Sequence, residues 1–244
     1  MFPIFKKRGV FGMLKYKRIL VKISGEALAD GKRGVSAQAT KQVALQLKQV
    51  LDAGVQVAAV VGGGNFWRGR TSENMDRAIA DQIGMLATIM NALALGDALT
   101  QLGVPNKVFT SVSVDKVANP HNVLAEREFL QQGGVVIFGG GTGSPFFSTD
   151  TAAVLRACEI HADAVFFSKA VDGIYDSDPA INPNARKFDE ISFDKVLADN
   201  LKALDLTAAA MCKEFGISAV CFGKNEKDGI LRILQGEKLG TVIS

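Results

Sequence analysis

Three apolar, β-branched runs in this chain end directly in glycine-dominated turns. Residues 19–23 lead into Ser24-Gly25, residues 58–61 into Gly62-Gly63-Gly64-Asn65, and residues 135–138 into Gly139-Gly140-Gly141-Thr142-Gly143-Ser144. Glycine lets successive backbone N–H groups turn toward one point, and a helix starting behind such a turn adds partial positive charge. Three such turns on neighbouring strands would hold a chain of phosphates. Because the glycines follow strands and do not sit on helix faces, the ligand site is expected along the carboxyl edge of a sheet.

The rest of the chain agrees with that frame. From Tyr16 onward strand-like and helix-like segments alternate, which is the pattern of βαβ units on a mostly parallel sheet. Strands are expected at Arg18–Ile23, Gln56–Val61, Asn106–Thr110, 135–138, 164–167 and 218–221. Helices are expected from the Ser36 cap to Leu51, over 75–102 as one long or broken helix, from Asp150 or Thr151 to Ile160, and near 193–198, 205–215 and 229–234. The segment from Asp172 to Ala185, rich in Asp, Asn, Gly and Pro, reads as turns crossing one face. With 244 residues and 48% hydrophobic content but only 7% aromatic, the chain suits one large α/β domain, taken as 13–244. Residues 1–12 are basic, lack an apolar run long enough for a signal peptide or membrane span, and are expected to be a disordered extension. Met13 offers an alternative start.

Composition excludes several functions. A net charge of +3 without interleaved aromatics carries no nucleic-acid footprint. Cys158, Cys212 and Cys221 are odd in number and far apart, so they read as buried thiols in a cytoplasmic protein and not as disulfides. His121 and His161 have no ligand-spaced partner, read as structural or surface residues, and no protein metal site is expected. The two commonest nucleotide signatures are also missing. There is no Gly-Lys-Ser/Thr tripeptide, and Trp67 and Ser144 stand where G-x-G-x-x-G needs its last glycine.

Individual residues then carry the chemistry. Lys22, inside an apolar strand end, needs an anion or a carboxylate as partner unless it snorkels from an edge. Gly62 to Gly64 with Arg68 couples backbone donors to a full charge. The stretch from Gly139 to Asp150 combines donors, hydroxyls and a helix start. Asp150 is either a plain N-cap or a group that orients a lysine or a metal. Asp81, on a helix, reads by itself as a solvated carboxylate, and Trp67, Phe146 and Phe147 as packing.

Taken together, these motifs are those of a known family. The segment from Tyr16 to Leu28, Gly62-Gly63-Gly64-Asn65 with Arg68-Gly69, Asp81 before Gly84-Met85-Leu86-Ala87-Thr88, Gly141-Thr142-Gly143 with Pro145-Phe146-Phe147, and Val171 to Tyr175 with Asp178-Pro179 carry the resemblance. From about Tyr16 to Ile243 the chain resembles the bacterial UMP kinases (uridylate kinases) of the amino acid kinase superfamily. The resemblance implies an α/β fold, a three-layer αβα sandwich on a central, mostly parallel sheet, assembled as a homohexamer. It implies transfer of the γ-phosphoryl group of ATP, carrying Mg2+, to UMP in pyrimidine nucleotide synthesis. Lys22 and Arg68 would be catalytic. Lys22, Ile23, Ser24, Gly25, Gly64, Arg68, Lys169, Tyr175 and Asp178 would contact ATP. Gly63, Asp81, Thr142, Gly143, Ser144, Pro145, Phe146, Phe147, Ser148 and Thr149 would hold UMP. UTP inhibition and GTP activation are further family traits, although the segment from Gly31 to Ser36 diverges from the GTP-loop pattern. A carboxylate or carbamate kinase, or a non-catalytic nucleotide-binding protein on the same fold, would share the glycine turns but not the acceptor residues.

Overall fold

The structure is a computed structural model and describes residues 14–31, 33–67, 75–201, 204–224 and 226–244. The expected extension at 1–12 and Arg68 lie outside the described residues. The elements run β1 (Arg18–Ile23), α1 (Ala37–Asp52), β2 (Gln56–Val61), α2 (Arg77–Gln101), β3 (Asn106–Thr110), β4 (Asn119–Pro120), α3 (Val123–Gln131), β5 (Val135–Gly139), α4 (Thr149–Glu159) and β6 (Ala164–Lys169). They continue with β7 (Ile174–Tyr175), β8 (Lys187–Phe188), β9 (Glu190–Ile191), α5 (Phe193–Ala198), α6 (Leu206–Phe215), β10 (Ser218–Gly223), α7 (Gly229–Leu234) and β11 (Thr241–Ile243).

Among the described residues nine strands form one sheet in the order β4-β3-β5-β2-β1-β6-β10-β11-β9, with only the β10–β11 pair antiparallel. β1 is central, pairing in register with β2 on one side and β6 on the other, so Lys22 stands opposite Val60 and Phe167. Strand side chains alternate between two buried clusters, as a sheet covered on both faces requires. Ile19, Val21, Ile23, Val57, Ala59, Ile137, Phe166 and Val220 pack with residues of α1, α2 and α7. Leu20, Val60, Phe138, Val165, Phe167 and Cys221 pack with residues of α4, α5 and α6. The result is the expected three-layer sandwich.

Local chemistry explains the helix starts. Ser36, Asp76, Asn122, Ser148, Ser192 and Asp205 each accept a backbone N–H of the following turn, satisfying donors that a helix N-terminus leaves open. α6 ends at Gly216, whose left-handed φ of 65° closes it. The long helix is unbroken, because burial of Ile89, Ala92, Leu95 and Leu99 outweighs the cost of Gly84 and Gly96 within it. By length and composition α2 could cross a membrane, but its apolar stripe packs on the sheet.

Three expectations shift. α4 starts at Thr149 with Ser148 as its cap, so Asp150 is not the N-cap. The 172–185 excursion is not turns alone: it contains β7, which pairs antiparallel with β8 just beyond it. The sheet also extends through β4, β9 and β11, strands too short to show a period in sequence, and α3 adds a helix before β5.

Candidate active site

Alternation on β1 and β6 sends Lys22 and Lys169 to the face covered by α4, at the carboxyl ends of adjacent strands. The first turn of α4 supplies Asp150 between them. Its carboxylate lies 3.0 Å from Lys22 Nζ and 2.7 Å from Lys169 Nζ, and the three side chains are 13%, 14% and 28% exposed. Burial works against the charged carboxyl, but the ammonium groups of Lys22 and Lys169 prevail and hold Asp150 below the usual carboxylate range. Lys22 therefore has the carboxylate partner its position demanded. Asp150 orients two lysines, one of them named in advance and the other carried only by resemblance. This triad stands between β1 and β6, where the strand order reverses direction, the place where open α/β sheets bind ligands.

The first two glycine turns are packed on each other. A Cβ on Gly25 would come within 2.4 Å of Asn65 Oδ1 and 2.7 Å of the Gly64 nitrogen, so only glycine permits this approach. Gly62 donates its N–H to Ile23 O at 2.8 Å. The second turn is anchored by an amide pair. Asn91 of α2, fully buried, donates to Gly62 O and to Asn65 Oδ1, both at 2.7 Å. Asn65 in turn donates to Gly34 O at 2.8 Å. Gly64 sits against the Glu26 carboxylate, and Gly63 against Gly84 and Ala87 of α2. Trp67 packs near Gly84, in keeping with its reading as packing.

The third turn is built from left-handed residues, with φ of 81°, 59° and 85° at Gly140, Gly141 and Gly143. Gly140 donates to Thr88 Oγ1 at 2.7 Å. Asp81 is not a solvated carboxylate. Its Oδ2 accepts from Arg77 Nε and from the Phe146 N–H, both at 2.8 Å, tying α2 to the loop. Phe146 and Phe147 are 67% and 53% exposed, so they are not core residues; Phe146, at φ 73°, lies beneath the Arg77 guanidinium. Thr142 Oγ1 donates to Ser144 O and accepts its N–H. Ser148 Oγ donates to Asp205, which also accepts from Thr151 Oγ1 at 2.9 Å, fastening the loop's end to α6.

Tyr175 and Asp178 sit on the hairpin side. Tyr175 donates to Asp172 Oδ1 at 2.7 Å, and Asp178 Oδ1 accepts the Ala180 N–H. The backbone of Asp172 packs against Gly223 at the end of β10, so this segment rises from the same sheet edge as the lysines. Sequence reading assigned no role to Arg77, Asn91 or Asp205. Asn91 alone left a signal, as an amide among the apolar positions of α2. The other two become partners only through contacts between distant segments.

A sandwich with its charges and glycine turns at the strand-order reversal defines a phosphate-handling α/β protein, and the chain belongs to the amino acid kinase family, whose model matches residues 17–223. Among solved structures it is similar to a UMP kinase from Bacillus anthracis, with 37% identity, TM-score 0.91, and 94% of this chain and 96% of that one covered. It is similar also to a UMP kinase from Ureaplasma parvum, at 36% identity and TM-score 0.89 over 95% and 100% of the chains. A uridylate kinase from Archaeoglobus fulgidus matches at 25% identity and TM-score 0.70, over 93% and 99%.

Proposed function

We propose that this protein is a UMP kinase, transferring the γ-phosphoryl group of MgATP to UMP to give UDP and ADP. The observation that carries the reading is its likeness, over nearly the full length of both chains, to two structures described as UMP kinases. The chemistry fits. The acceptor phosphate has a second pKa of about 6, so it presents an anionic oxygen at neutral pH and needs no general base. An oxygen of UMP forms the new bond to the γ-phosphorus as the bond to the β–γ bridging oxygen breaks, and ADP leaves. Catalysis is then positioning and charge neutralisation.

In this reading Lys22 and Arg68 neutralise the transferring group. Asp150 keeps Lys22 and Lys169 pointed at the sheet edge until phosphate oxygens take over as their partners. Ile23, Ser24, Gly25 and Gly64 supply the ATP-phosphate side, and Tyr175 and Asp178 the ATP nucleoside side. Gly63, Asp81 and the run Thr142, Gly143, Ser144, Pro145, Phe146, Phe147, Ser148 and Thr149 form the UMP side. Mg2+ carried by ATP would supply further charge neutralisation on the transferring phosphates, beside Lys22 and Arg68. The catalytic domain spans 13–244, the setting is cytoplasmic, and the pathway is pyrimidine nucleotide synthesis. We assign a homohexamer with UTP as inhibitor; GTP activation is a family trait that the diverged segment from Gly31 to Ser36 does not support. Supporting assembly, Ile79, Leu86 and Met90 expose about half their surface along one face of α2.

A coupled ADP-release assay with MgATP tests the reading, offering UMP, CMP, dTMP, acetylglutamate and carbamate in turn. Turnover with UMP far above the others is expected. Turnover with acetylglutamate or carbamate instead, or none at all, overturns it.

A further inference from the structure

A buried charged cluster lies behind the third glycine turn, and the proposed chemistry does not use it. Arg156, two turns into α4 and almost fully buried, donates from Nη2 to Ser111 Oγ at 3.1 Å. The Ser111 hydroxyl has one proton, and it donates that proton to Gly141 O at 3.0 Å. The guanidinium is held in turn. Its Nη1 pairs with Glu159, and His121 Nε2 approaches the same carboxylate at 3.4 Å. On its other side His121 Nδ1 donates to Glu126 Oε1 at 2.7 Å, and that fully buried carboxylate also accepts the Asn122 N–H at 2.9 Å. Arg127 Nε closes the far end on Glu159 O.

Buried ion clusters of this kind are poor stabilisers, since desolvation consumes much of the attraction. What this one supplies is direction. The Gly140–Gly143 backbone has three left-handed residues in four, a conformation that glycine allows but does not itself select. Its bonds come from two sides, Thr88 on α2 and Ser111 after β3. Backbone contacts reinforce the second side, since Ser111 N–H also meets Gly139 O at 3.3 Å, and Cβ atoms on Gly140 or Gly143 would press within about 3 Å of Ser111. An Arg156 fork fixed by Glu159 leaves the Ser111 hydroxyl one orientation, toward Gly141.

We infer that Arg156 is a positioning residue for the acceptor loop, acting through the Ser111 hydroxyl on the Gly141 carbonyl to set the loop that receives UMP. This rests on the assignment of Thr142 to Thr149 to UMP. Steady-state kinetics on the full chain test it, varying UMP at saturating MgATP and then the reverse. Ser111→Ala should raise the UMP KM about fivefold, the worth of one neutral hydrogen bond, and leave the ATP KM within about twofold. Arg156→Met should shift the same parameter. Because the two act in series, the double variant should match the larger single effect and not their product.

An unmoved UMP KM in Ser111→Ala, an equal rise in both KM values, or multiplying effects in the double variant overturns the inference. Should Arg156→Met fail to fold, Ser111→Ala decides alone. A wild-type enzyme that does not saturate with UMP defeats the acceptor assignment itself and this inference with it; a saturable wild type with an unmoved variant defeats only the inference.

Discussion

Replacing Lys22 with Met separates the two jobs a buried lysine can have. Its ammonium lies 3.0 Å from Asp150, but the same carboxylate keeps Lys169 at 2.7 Å, so Lys22→Met leaves no orphaned charge. The stability cost should therefore be about 1 kcal/mol, well short of the ~3–5 kcal/mol for stripping a buried ion of its last partner. For a chain of this size that is about 3 °C in melting midpoint. The rate should suffer far more. A unit charge about 4 Å from a phosphoryl oxygen, at an effective dielectric near 20, is worth ~4 kcal/mol. Realised in the transition state, that is about a 10³-fold loss in kcat. Parallel measurements of ADP release and thermal unfolding on the purified variant give both numbers. A kcat within about tenfold of wild type, with the fold intact, would refute the assignment of Lys22 to the transferring phosphate.

Two other perturbations probe the acceptor side and the cluster behind it. Asp81→Asn keeps an oxygen for Arg77 and the Phe146 N–H but loses the charge, so the UMP KM should rise about tenfold and the ATP KM little; equal rises would argue against an acceptor role. The Glu126 hydrogen bond, then that to Glu159, lift His121 to about 9 against burial and the Arg156 charge. Since this pKa is raised on folding, the stability His121 contributes is fully present below its ordinary value of 6.5 and is lost as pH rises from there through about 9. Urea unfolding across that window should show the decline, and His121→Gln should flatten it; an equal decline in the variant would assign the slope to another group.

Much of the fold was legible because its signals are local. β1, β2 and β3 could be placed to the residue, since strands buried on both faces carry apolar stretches such as residues 19–21, 57–61 and 108–109. The Ser36 cap and the glycine closing α6 likewise depend on a few neighbouring residues. β4, β9 and β11 have only two or three residues each and exist because a neighbouring edge offers hydrogen bonds. Asp81 and Phe146 illustrate the same limit for side chains. They lie 65 residues apart, and what each does follows from the bond between them.

The sequence by itself determined that three strand ends turn on glycine, that a lysine stands inside an apolar strand and must find a negative partner, and that the family is that of the amino acid kinases. The first two follow from residue identity and short-range periodicity, the family from the resemblance of the assembled motifs to those of known members. Only the tertiary structure decided that the partner is Asp150, shared with Lys169, and that Asn91 anchors the second turn. It alone placed a fork of buried charge on the third. Those pairings join segments 19 to 128 residues apart, and such contacts exist only once parallel pairing has set the register that brings strand ends and helix starts to one edge.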